Sequence, residues 1–302
     1  MKKISVVLAV VIATLGLASC SSTNPLDSSP SASEGSTAVV VGSANFPESE
    51  LLAQIYAQAL RAKGVTVTTK LNIGSRETYV PALKSGEINL IPEYTGAFAK
   101  YLNPDADTST TEAALAAVKA ALPANLTVLD PAPAQDNDSI TVTKQTAETY
   151  GLTTIEDLAP HASQMVLGGP PEWKTRSYGV PGLKKTYGLQ FKSFKALDTA
   201  GPLTVQALKN GQVQAANLFT TDPAITANGF VTLTDTKGFF GSQNVVPVIG
   251  TEVATTQVSD TLNAVSATLD TATLASLVSQ VVTDKKDADQ VAKQWLQDVG
   301  LS

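Results

Sequence analysis

Ala82-Leu83-Lys84-Ser85-Gly86-Glu87-Ile88 is echoed in the second half of the chain by Ala207-Leu208-Lys209-Asn210-Gly211-Gln212-Val213. Each copy reads as a helix end, a glycine that closes it, and the first residues of a buried strand. Continuing both copies without a gap sets Tyr94 against Phe219 and Thr95 against Thr220. An aromatic residue and a threonine therefore stand just past the carboxyl end of each strand. Ligands of open α/β sheets bind at that end. Two such sheets facing one another would bring both aromatics to one cleft.

The flanking sequence alternates strand and helix signals. Before the first copy come an apolar run at Ala38–Gly42, helical spacing at Leu51, Leu52, Ile55, Tyr56, Ala59 and Leu60, and a strand over 65–71. The first copy itself is predicted as a helix near Thr78–Ser85 and a strand near Ile88–Ile91. A helix near Thr111–Leu122 and a strand at Leu126–Leu129 follow. Pro131-Ala132-Pro133-Ala134 is a stiff crossing into a second series. That series has strands at Ile140–Thr143, Met165–Leu167, Phe191–Phe194, Val213–Phe219, Phe230–Leu233 and Val245–Ile249, with helices from Thr154 and over Leu203–Lys209. Helices near Asp260–Leu269, Ala272–Val282 and Asp287–Val299 end the chain. The pattern predicts two mostly parallel α/β sheets.

The N-terminus has a different character. Lys2 and Lys3 precede an apolar run from Ile4 to Leu17 and then Leu17-Ala18-Ser19-Cys20, the layout of a signal peptide over 1–19. The run is shorter than the roughly 20 apolar residues of a membrane span. Leu-Ala-Ser-Cys resembles the lipobox of bacterial lipoproteins, which implies cleavage before Cys20 and a lipid on its sulfur. Cys20 is the single cysteine, so an intrachain disulfide and a cysteine-based metal site are excluded. Residues 21–37, rich in Ser, Thr, Pro and Gly, read as a flexible tether. Without Lys2 and Lys3 the chain keeps 19 basic against 27 acidic residues, a charge of about −8. No basic cluster is present, so nucleic acid is not expected as a partner. The single histidine, His161, follows Pro160 and reads as a surface residue.

Catalytic signatures are missing. The sequence contains no G-x-x-x-x-G-K-[ST] loop and no G-x-S-x-G elbow, and one histidine cannot supply a zinc site. Asp136 and Asp138 lack the spacing of a calcium loop. Neither a metal nor a cofactor is expected.

Gly42-Ser43-Ala44-Asn45-Phe46-Pro47-Glu48, Ile73-Gly74-Ser75-Arg76-Glu77 and Gly86-Glu87-Ile88-Asn89-Leu90-Ile91-Pro92-Glu93-Tyr94-Thr95-Gly96 together carry a resemblance. Tyr187-Gly188-Leu189, Phe219-Thr220-Thr221-Asp222 and Val291-Ala292 with Trp295-Leu296 extend it to the C-terminus. From Ala38 onward the chain resembles the glycine betaine/choline/osmoprotectant substrate-binding proteins of ABC importers. The resemblance implies a bilobed periplasmic-binding-protein fold of type II, two mixed α/β lobes joined by two crossings. Residues 38–131 and 244–302 would form one lobe and 132–243 the other. It further implies a monomeric extracytoplasmic subunit, lipid-anchored through Cys20, that delivers a small solute to permease and ATPase subunits and turns over nothing itself.

A quaternary ammonium has no N–H to donate, so aromatic faces select it. The resemblance assigns Tyr94 and Phe219 to such a cage and Arg176 to the grip on a solute carboxylate. Asn45, Phe46, Ser75, Arg76, Thr95, Asp136, Asn137, Thr220, Asp222 and Gln243 complete the expected site. Its departures matter equally. Ala44 stands where a lysine is usual and Ala97 where a threonine is usual. Tyrosines usual near Gln135-Asp136-Asn137 and Gln243 are replaced. A more polar pocket is implied, for a cationic or zwitterionic solute that need not be glycine betaine. The alternative is an exported α/β enzyme or a ligand-sensing lipoprotein on the same fold.

Overall fold

Why a strand forms at the centre of each half is clearest from the residues that flank it. In the computed structural model, which describes residues 38–302, strand β3 (Leu90–Tyr94) is buried along its whole length. It lies between β1 (Val39–Gly42), which is parallel to it, and β10 (Val245–Gly250), which is antiparallel. Strands β2 (Val67–Lys70) and β4 (Leu126–Val128) are the edges, giving the order β2-β1-β3-β10-β4. On β10 Val245 and Ile249 enter one core while Val246 and Val248 enter another, so helices cover both faces of the sheet. One face carries α1 (Pro47–Ala62), α9 (Thr256–Thr268), α10 (Thr271–Val282) and α11 (Ala288–Asp298). The other carries α2 (Arg76–Lys84), α3 (Thr95–Leu102) and α4 (Thr111–Ala121).

The second sheet repeats this plan. Its central strand β8 (Ala215–Phe219) lies between the parallel β6 (Val166–Gly169) and the antiparallel β5 (Asp138–Thr143). With β7 (Ser193–Ala196) and β9 (Phe230–Thr232) at the edges the order is β7-β6-β8-β5-β9. Helices α5 (Lys144–Tyr150), α6 (Val180–Tyr187), α7 (Pro202–Lys209) and α8 (Pro223–Asn228) connect its strands. The sequence echo is reproduced bond for bond. Gly86 N donates to Leu83 O, and Gly211 N donates to Leu208 O. Glu87 N and Ile88 N bond Ala82 O as Gln212 N and Val213 N bond Ala207 O. Both glycines have positive φ, 78° and 68°, which a side chain would disfavour. The chain passes between sheets twice, through residues 129–137 and 233–244.

Three expectations are corrected. The sheets are mixed rather than mostly parallel, because the strand entering each from a crossing, β10 or β5, runs against both neighbours. No α-helix starts at Thr154: Asp157 Oδ2 accepts from the Thr153 and Thr154 N–H groups and holds only a short 3₁₀ turn, Glu156–Leu158. The α-helix of that stretch is α5, begun by Thr143, whose hydroxyl accepts from Thr146 N. His161 is half-buried, its ring 4.7 Å from that of Tyr150. Expectations for residues 1–37, including Cys20, lie outside the described residues.

Candidate solute-binding cleft

The carboxyl ends of β3 and β8 face each other across a cleft, and the side chains there sort into three groups. The first is aromatic. Phe46, just before α1, sits between Tyr94 and Phe219, with ring centroids 6.2 and 5.1 Å away. Trp173 and Tyr79, both buried, also line the cavity. Trp173 is held by stacking on Phe240 at 5.9 Å.

The second group is basic, and both members are committed to carboxylates. Arg76 forms a bidentate pair with the fully buried Glu93 (Nε to Oε1 3.0 Å, Nη2 to Oε2 2.8 Å) and gives its remaining contact to Tyr178 Oη at 3.1 Å. Burial opposes the charge of Arg76, but Glu93 outweighs it and holds the guanidinium protonated. Arg176 crosses the cleft to Glu77, Nε to Oε1 at 3.0 Å and Nη2 to Oε2 at 2.7 Å. Ser75 Oγ donates to the same carboxylate. Partial burial works against ionisation of Glu77, yet these hydrogen bonds lower it to about 2.

The third group is acidic. Glu48 in the first turn of α1 is 3% exposed, accepts from Tyr94 Oη (2.7 Å) and Thr221 Oγ1 (2.6 Å), and contacts Asp136. Asp136 Oδ1 accepts from Thr221 N at 3.0 Å. Burial pushes both carboxyls up, and for Asp136 the charge of Glu48 adds to it, so the pair tends to hold a proton between them. Asp138, also buried and raised by burial, accepts from Asn217 Nδ2 at 2.9 Å. Among the described residues none of these three acids has a cation within ion-pair distance, though the charges of Arg76 and Arg176 act against the rise at Asp138, and no acidic cluster has the geometry to hold a metal ion.

Of the sequence-predicted site residues, Asn45, Phe46, Ser75, Arg76, Tyr94, Asp136, Arg176, Phe219 and Gln243 line this cavity. Four do not. Thr95 Oγ1 donates to Ser242 O and accepts from Asn244 N, tying α3 to the second crossing. Asn137 N donates to Thr220 Oγ1, which itself donates to Asp136. Asp222 starts α8 by accepting from Ala224 N, and lines a separate cavity of about 290 Å³ with Pro47, Val205 and Val281. Its carboxyl is raised to about 6 by burial. Arg176 lines the cleft, but as the partner of Glu77 rather than as a free cation. Sequence reading missed Asp138, Trp173, Tyr79 and Asn217 of this cavity, and Glu48, which bonds Asp136 and lines the separate cavity with Asp222. Glu48 stood in a quoted motif, and Trp173 lies between Pro170-Pro171-Glu172 and Arg176. Asp138 and Asn217 gave no signal before strand pairing was known. Ala44 and Ala97 do line the cavity, so methyl groups form that part of its wall.

Room in the cleft is about 50 Å³, enough for only a few water molecules. Hinge closure is the motion such two-lobed folds use.

Residues 37–298 match the family model described as the substrate-binding domain of ABC-type glycine betaine transport systems. The chain is 30% identical over 281 residues to the glycine betaine-binding protein YehZ of Escherichia coli, covering 88% of this chain and 92% of that one. It is 26% identical over 268 residues to the ergothioneine transport permease/ergothioneine binding protein EgtU of Helicobacter pylori, where 87% of this chain matches 48% of the longer relative. Among solved structures, that of a glycine betaine/carnitine/choline ABC transporter protein shares the fold with TM-score 0.69 and 24% identity, covering 87% of this chain and 99% of that one. The architecture, the cleft and these likenesses agree: the chain belongs to the substrate-binding domains of ABC-type glycine betaine transport systems.

Proposed function

We propose that the cargo of this importer subunit is an organic cation of the quaternary ammonium class without a carboxylate, released unaltered to the permease. One observation carries this reading. Both arginines of the cleft are bound by Glu93 and Glu77, while Glu48 and Asp136 are buried in contact with each other and with no cation within ion-pair distance among the described residues. A solute carboxylate would have to compete for an occupied arginine. An ammonium would meet aromatic faces, worth about 2 kcal/mol when desolvated, and the carboxyl of Asp136, which has no ion-pair partner among the described residues. Asn45, Phe46, Ser75, Tyr94, Asp136, Phe219 and Gln243 form the wall around it in this reading. The lobes are residues 38–131 with 244–302, and 132–243. Thr95, Asn137 and Thr220 support the crossings, and Asp222 starts α8.

Isothermal titration of the mature chain with choline, tetramethylammonium and glycine betaine tests the proposal. The two carboxylate-free cations are expected to bind more tightly; betaine binding ten times tighter than choline would defeat it. We also propose that the mature chain is a monomer anchored through a lipid on Cys20, with residues 21–37 as tether. Cys20→Ser is expected to move the protein from the membrane fraction to the soluble fraction, and unchanged membrane retention would argue against the anchor.

A further inference from the structure

Three buried side-chain atoms have no hydrogen-bond partner among the described residues: Asn137 Oδ1, Asn217 Oδ1 and Ser266 Oγ. Only Asn217 lines the cleft cavity. Its amide orientation follows from its neighbours. Nδ2 faces two acceptors, Asp138 Oδ1 at 2.9 Å and Ser139 O at 3.4 Å, so the nitrogen is on that side and the oxygen on the other. Asn217 is fully buried. A buried acceptor without a donor is destabilising until something donates to it.

Strand register shows where that acceptor sits relative to the aromatic cage. Alternate residues of a strand share a face. On β8, Ala216 and Leu218 enter a core on one side, which puts Asn217 and Phe219 together on the other. Asp138 on β5 is paired directly with Phe219. The cage ring, the acid and the free acceptor thus form one patch, with Asn217 one step of roughly 7 Å along the strand from Phe219. Room beside Asn217 comes from Gly169 on β6, where an added Cβ would stand 3.3 Å from Asn217 Cβ.

We infer that Asn217, held by Asp138, is an acceptor subsite for a hydroxyl group carried by the cationic cargo a few bonds from its ammonium nitrogen. The inference rests on the cation reading above and narrows it. Tetramethylammonium and glycine betaine carry no donor; an ammonium alcohol does. The cation would lie against Phe46, Tyr94 and Phe219, and its hydroxyl would donate to Asn217 Oδ1.

The test compares choline with propyltrimethylammonium, which has a methyl group in place of the hydroxyl, by titration calorimetry on the mature wild-type chain and on Asn217→Leu and Asn217→Ser. Wild-type protein is expected to bind choline at least about tenfold more tightly than the propyl compound. In either variant that folds by circular dichroism, the preference is expected to shrink to about twofold or less, with propyltrimethylammonium still bound. Equal affinity in the wild type, or a preference that survives both substitutions, would overturn the subsite while leaving the cation reading intact. Failure of wild-type protein to bind either compound would overturn both. Should neither variant fold, the wild-type pair decides alone.

Discussion

Asp136→Asn is expected to weaken cargo binding and to stabilise the protein at once. In the folded chain Asp136 and Glu48 are buried carboxyls in contact, with Asp136 Oδ1 accepting from Thr221 N and Thr220 Oγ1. An asparagine keeps both acceptor bonds through its own Oδ1 and turns an N–H toward Glu48, where the acids must otherwise share a proton. The like-charge conflict disappears. A full carboxylate roughly 5 Å from an ammonium at an effective dielectric of about 20 contributes about 3 kcal/mol. Because Asp136 shares its charge with Glu48, the loss is set nearer to about 2 kcal/mol, roughly thirtyfold in dissociation constant. Calorimetry with choline measures that, and urea unfolding of the same sample measures the gain.

The pH dependence has a definite sign. Both folded-state carboxyls are raised above their unfolded values. Their contribution to stability is therefore fully present below an unfolded pKa of about 4 and lost as pH rises through the folded values. Asp136→Asn removes part of that decline, so its advantage over wild type grows with pH above about 4. Unchanged choline affinity together with higher stability would show that the acid pair does not serve the cargo, and the cation reading would lose its main support.

Tyr94→Phe keeps the ring but deprives Glu48 Oε1 of its donor. It should cost about 1–3 kcal/mol in urea unfolding while changing choline affinity less than about threefold, whereas Tyr94→Ala should weaken affinity at least about tenfold; equal affinities for wild type and Tyr94→Ala would remove the ring from the site. Arg176→Ala or Glu77→Gln breaks the ion pair across the cleft and should enlarge the radius of gyration in small-angle scattering. Because Glu77 is lowered to about 2, the pair's contribution is present above the unfolded carboxyl pKa and lost only as pH falls through about 2. Wild-type dimensions that already change between pH 4 and 7 would speak against it. At Gly96 an added Cβ would stand 2.5 Å from Ser242 O in the second crossing, so Gly96→Ala should cost about 1–3 kcal/mol and lower the melting temperature by roughly 3–10 °C; an unchanged melting temperature would mean the crossing yields freely.

The repeated helix end was legible because Gly86 and Gly211 are required by local geometry, and the strands after them because burial on both faces demands continuous apolar runs. The turn at Thr153–Asp157 was misread because a side-chain carboxylate competes there with helix propagation, which apolar spacing does not register. Of the site, the sequence named the rings Tyr94 and Phe219 and the acid Asp136, since each follows a recognisable motif or departs from one.

Sequence alone thus determined the two-sheet α/β plan and which strand ends bear the aromatics, because strand ends and helix caps are set by neighbours in the chain. Charge balance in the cleft belonged to the tertiary structure. Arg176 meets Glu77, Arg76 meets Glu93, and Glu48 meets Asp136 only when separate segments pack together. Whether a charged side chain is spent or free depends on which partner lies within hydrogen-bond reach, and that distance exists only in the folded chain.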